Sequence, residues 1–143
     1  MMVVRSDFIE LSTKGLNDIH NITPQVDRFV RDNGLKNGHL LIAINGSTAA
    51  ISTVEYEPGL LQDIPEMLEK IAPMNKNYHH DQAWHDGNGY AHLRSTMMGT
   101  SFMAPVINGR LVLGTWQQII FIDFDNRPRH REITLQFVGE AAD

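Results

Sequence analysis

The chain has 143 residues and a formal net charge of -5, with 42% of residues hydrophobic and 20% charged. That is the size of one domain, residues 1–143, which buries roughly 70% of its unfolded surface and is expected to hold together without staples. No cysteine is present, which excludes thiol nucleophiles, disulfides and thiolate metal sites, and the acidic balance without a Lys/Arg cluster argues against DNA or RNA as a partner.

Residues Met1 to Glu10 lack the charged and apolar blocks of a signal peptide, and no apolar run nears the roughly 20 residues of a membrane helix. A cytoplasmic protein without membrane contact is therefore expected. Phe8 to Thr13 reads as a first strand. Thr23-Pro24 marks a helix start, Val26, Phe29 and Val30 its buried face, and Gly34 its stop. Leu40 to Ile44 and Ala49 to Val54 read as strands around the small polar turn Asn45 to Thr48. Leu60, Leu61, Ile64, Leu68 and Ile71 recur at helical spacing, with Pro65 setting the regular start near Ile64 or bending the helix there.

From Pro73 to Gly89 the chain is polar and aperiodic, the mark of a functional or disordered loop. Ala91 to Met98 reads as a short helix ended by Gly99 or as an alternating strand, the helix being favoured. Phe102 to Ile107, Asn108-Gly109 and Arg110 to Leu113 form a hairpin signature, because Asn-Gly suits the positive φ angles of a type I′ turn. Gln118 to Phe124 and Glu132 to Val138 read as strands joined by the turn Asp125 to Pro128. Many antiparallel strands with two to three helices make the α+β class.

His79, His80, His85 and His92 lie close in sequence with Asp81, Asp86 and Asn88 among them. Imidazole and carboxylate are ligands for a divalent ion such as zinc or manganese, but no short metal motif is present, and a solvated polar loop is the competing reading. Gly46-Ser47-Thr48-Ala49 offers amides and hydroxyls to a phosphate without the glycine spacing or lysine of a P-loop. Arg94 beside Ser95 suits a phosphate oxygen or a surface salt bridge. Trp116 is expected in the core, and the adjacent Gln117 amide must then find a partner, either a ligand or a histidine. Arg127, Arg129 and Arg131 alternate onto one strand face, expected to meet solvent or another subunit.

Several passages, in order, resemble the secondary thiamine-phosphate synthase (YjbQ-like) family over about Leu40 to Gly139. They are Ser47-Thr48-Ala49 with Glu55, then Asp63, Tyr78 with His80-Asp81, Ala91 to Ser95, Gly99-Thr100-Ser101 leading to Pro105, Gly114-Thr115-Trp116-Gln117, and Phe124 to Arg131. The resemblance implies a β-sandwich-like fold of antiparallel sheets, a homotrimer with pockets near subunit boundaries, and thiamine-phosphate synthase activity. It singles out His80 and His92 as the histidines that share a metal or substrate, with Glu55 or Asp63 orienting them or holding magnesium. Gly46 stands where many relatives carry a histidine, which removes a third ligand.

Three functions follow as expectations. The favoured one is a transferase on small phosphorylated substrates, with Ser47, Thr48, Asn88, Arg94, Ser95 and Gln117 binding and His80, His92, Glu55 and Asp63 catalysing. The others are a hydrolase whose metal, held by His80 and His92, activates water, and a trimeric ligand- or metal-binding protein without turnover.

Overall fold

The computed structural model describes residues 1–143. Strands β1 (Met2–Thr13) and β2 (Asp18–Asn21) precede helix α1 (Thr23–Asp32), and β3 (Leu35–Ile44) and β4 (Ala49–Glu55) follow it. Three helices come next, α2 (Pro58–Ile71), α3 (His79–Trp84) and α4 (Gly89–Met98). β5 (Ser101–Ile107), β6 (Arg110–Leu111), β7 (Gln117–Asp123) and β8 (Arg129–Ala141) complete the chain. The strands form a five-stranded sheet in the order β1-β8-β3-β5-β6 and a three-stranded sheet in the order β2-β7-β4. Every pairing is antiparallel. This is the α+β class expected, with four helices instead of two or three.

Alternation along β7 explains the layering. Ile119 and Phe121 face the larger sheet and join Leu40, Ile42, Ile133, Leu135 and the Val26–Val30 face of α1 in one core. Ile120 and Ile122, with Phe124, pack on the other side against Leu68 of α2 and Tyr90 and Ala91 of α4. The smaller sheet is covered on both faces, so its central strand is an unbroken apolar run. The outer face of the larger sheet is open and shows Val4, Phe8, Met103, Ile107 and Val138.

Local chemistry sets the boundaries. The Thr23 hydroxyl accepts from the Ile119 amide at 2.8 Å, fastening the start of α1 to β7 instead of capping its own helix. Glu57 caps α2 by accepting from the Gly59 and Leu60 amides at 2.9 and 2.6 Å, so that helix starts ahead of the expected Ile64 and runs through Pro65. Asn108 and Gly109 take φ of 51° and 80°, the type I′ geometry foreseen for the β5–β6 hairpin.

Other expectations change as well. β1 begins well ahead of Phe8. The polar stretch after Pro73 is not a continuous loop, because it carries α3 and the first turn of α4. Trp116 is 72% exposed rather than buried. Most consequential, β7 and β8 are not neighbours: the chain from Phe124 to Pro128 crosses from the smaller sheet to the larger. Gly15 buttresses that crossing, with φ +77° and an added Cβ only 2.6 Å from the Asp125 carbonyl oxygen.

Candidate functional site

The crossing places two acids and two arginines together. Asp123 ends β7, Asp125 follows it, and both are fully buried. Arg131 of β8 donates to Asp123 through Nε at 2.8 Å and Nη2 at 2.9 Å, and Thr13 donates to the same carboxylate at 2.7 Å. Arg129 donates to Asp125 from Nε at 3.0 Å, and Thr48 joins the two pairs by accepting from Arg131 at 2.7 Å and donating to Asp125 at 3.0 Å. The face expected to meet solvent or a subunit thus carries a buried Arg131. Burial pushes the Asp125 carboxyl up, but hydrogen bonds from the Asn126 amide, Arg129, Thr48 and Asn88 together hold it below the usual range.

Above this floor opens a cleft of about 410 Å³. The Gly46–Thr48 turn between β3 and β4 forms one wall, and His80, Trp84, Asp86, Asn88 and His92 form the other. Helix α3 lies close on α4 because residue 89 is glycine: a Cβ there would meet the Tyr78 Cβ at 2.7 Å. The Asp81 carboxylate then accepts from the Gly89 amide at 2.9 Å and fixes the junction. The consequence is that the rings of His80 and His92 sit 4.3 Å apart, centre to centre, at 42°. Burial, and next the neighbouring His80, lower the pKa of His92 against the opposing pull of Asp125, Asp86 and Asp81. The lowered pKa favours the neutral imidazole of His92, the form that accepts a proton.

His80 Nδ1 is buried and makes no hydrogen bond, while one oxygen of Asp81 and one of Asp86 each lie 3.5 Å from it. All three atoms fall within 4.8 Å of one another. Ligands of a tetrahedral ion with bonds of roughly 2.1 Å stand about 3.4 Å apart, so His80, Asp81 and Asp86 are the residues that could hold a divalent ion here. The carboxylates that accompany His80 are thus Asp81 and Asp86, and His92 stands beside the trio. Asn88 spans the gap: one amide orientation donates to Asp125 at 3.4 Å, the other to Asp86 at 3.1 Å.

The other residues singled out in the sequence lie elsewhere in the chain. Glu55 pairs with Gln117 at the far end of the β4–β7 ladder from Ala49–Asp123, about 20 Å away at roughly 3.3 Å per residue. Asp63 is exposed on α2, and neither acid lines the cleft. Gln117 accepts from the Gly114 amide at 2.9 Å and donates to Thr53 at 3.1 Å, organising its own turn. Arg94 is fully buried and ties α4 to α2 and the β1–β2 loop, donating to the Ala72 carbonyl, Glu69 and Asn17 at 2.8 to 3.0 Å. Ser95 donates to the Ala49 carbonyl at 2.6 Å. Asp123, Asp125, Arg129 and Arg131 were missed as parts of one site. The available signal was a pair of acids closing an apolar run, followed by arginines at every second position.

The family profile described as UPF0047 protein YjbQ-like matches residues 7–140. A UPF0047 protein of Archaeoglobus fulgidus is 41% identical over 90% of this chain and 97% of its own length. The UPF0047 protein YugU of Bacillus subtilis is 32% identical over 92% and 97%. Among solved structures, a YbjQ-like protein of unknown function from Sulfolobus solfataricus superposes with a TM-score of 0.92 at 36% identity, covering 98% of this chain and 100% of that one. These names carry no activity, so the thiamine-phosphate synthase part of the resemblance gains nothing from them. The chain belongs to the YjbQ-like UPF0047 family.

Proposed function

Starting from that membership, we propose that the chain is an enzyme that holds a small phosphorylated substrate in the cleft and moves a proton there with His80 and His92. The observation that carries the reading is the contact between those two imidazoles, one of them favoured in its neutral form, across a cleft floored by two guanidiniums. The favoured reaction is the one the sequence resemblance implies, joining a pyrimidinylmethyl diphosphate to a thiazole phosphate. The carbon–oxygen bond to diphosphate breaks, the thiazole nitrogen bonds to that carbon, and the departing diphosphate takes a proton from the cleft. Cations and a positioned acid are what such a transfer asks of a protein. A divalent ion, magnesium, manganese or zinc, on His80, Asp81 and Asp86 would supply further positive charge when bound, and would then leave the proton transfer to His92.

The test is thiamine phosphate formation by wild type, His80→Ala and His92→Ala, with Glu55→Gln as control. A fall of roughly 10²- to 10⁴-fold is expected for each histidine variant; rates unchanged in both discard the reading. The His80, Asp81 and Asp86 grouping favours a second reading, metal-assisted hydrolysis of a small polar substrate. Elemental analysis before and after chelation, in wild type and Asp86→Asn, decides whether an ion is held there. Saturable ligand binding without turnover would instead make the protein a binder. The homotrimer rests on the sequence resemblance alone, and sedimentation gives the mass.

A further inference from the structure

One edge of the Arg131 guanidinium is committed and the other is not. Nε and Nη2 are engaged by Asp123 and Thr48, while Nη1 makes no hydrogen bond within the chain. The side chain is only 10% exposed, and it lines the cleft. What leaves room for Nη1 is the absence of a side chain at position 46, where a Cβ would stand 2.9 Å away. The backbone does not require glycine there, since Gly46 is not among the residues with positive φ. Its bareness serves the space beside Arg131. Arg129, two residues earlier on the same face of β8 and 32% exposed, holds Asp125 with Nε and Nη2 and lines the same wall.

We propose that Arg131 Nη1, uncovered by Gly46 and assisted by Arg129, receives a phosphate oxygen of the ligand, so that Gly46 and Arg131 set the preference of the cleft for phosphorylated molecules. The location rests on the cleft assigned above, but the proposal needs no catalysis by the histidines. Asp123 clamps the guanidinium before any ligand arrives, so little side-chain freedom is lost on binding, and the planar fork matches a phosphate edge.

Inorganic phosphate titrated into the full chain, against chloride at equal ionic strength, tests this by calorimetry. Wild type binds phosphate. Gly46→Val weakens that binding by about tenfold or more, as expected for losing a charge-assisted hydrogen bond, measured well below the Tm of each protein. Arg131→Lys does the same, because it removes the Nη1 donor while keeping a positive charge. Wild type that ignores phosphate, or Gly46→Val that binds it undiminished, overturns the proposal. Failure of the catalytic reading has its own readout, undiminished turnover in His92→Ala, so the two can fall separately.

Discussion

The two ends of the β4–β7 ladder share a strand pair and little else. At the Ala49–Asp123 end, buried acids and arginines satisfy one another beneath an open cleft, and two histidines stand over them. At the Glu55–Gln117 end, the acid is exposed, Trp116 is 72% exposed, and Gln117 braces its own turn. The most recognisable run in the sequence, Gly114 to Gln117, sits at the second end. A conspicuous motif can mark a turn device, whereas buried, paired charge marks where structure has been committed at a cost in solvation.

The contrast breaks first on stability. Asp123→Ala leaves Arg131 buried beside an empty space and should cost about 3–5 kcal/mol, against no more than about 0.5 kcal/mol for Glu55→Gln. Urea denaturation measures both, and equal costs would erase the distinction. Turnover comes next: His92→Ala should lower kcat/KM by roughly 10²- to 10⁴-fold, while Asp63→Asn stays within about twofold.

The dependence of stability on pH sharpens the picture. The lowered carboxyl of Asp125 contributes stability above the ordinary value of about 3.9, and that contribution is lost as pH falls through its lower folded value. His92, also lowered, loses its contribution in a different window, as pH drops from about 6.5 toward its own folded value. Urea midpoints between pH 3 and 8 should show both limbs, with Asp125→Asn flattening the first and His92→Gln the second. The smallest effects belong to the far end. Gln117→Ala should cost about 1 kcal/mol for the bonds to Gly114 and Thr53. Trp116→Ala should leave stability within about 0.5 kcal/mol, read by the same urea midpoints.

Much of the fold was legible because its signals are local. The Asn108-Gly109 turn, the Gly34 and Gly99 stops and the apolar run of β7 each follow from a few adjacent residues. What escaped depends on contacts distant in sequence. The β7-to-β8 connection looks like a hairpin turn, and only the pairing of β8 with β1 and β3 reveals it as a crossing between sheets. For the same reason Arg131 read as a surface charge. Of the site, the histidines were visible by clustering. Glu55 and Asp63 stand apart from them in the chain, and Asp81 in α3 and Asp86 just beyond it come beside His80 within a stretch read as loop. Gly46 first reads as a missing ligand, yet in three dimensions it opens space beside a guanidinium.

The partnership of β1 with β8, which runs without a break from Met2–Glu140 to Thr13–Arg129, also governs how the molecule is made. Its rungs join segments separated by more than a hundred residues, so the larger sheet closes only after β8 has left the ribosome. Loop-closure entropy must be met before those rungs return any energy, which places folding in the slow range, milliseconds to seconds, typical of distant strand pairing. Until then β3 carries an unpaired edge, and chaperone occupancy on nascent chains should peak before β8 emerges.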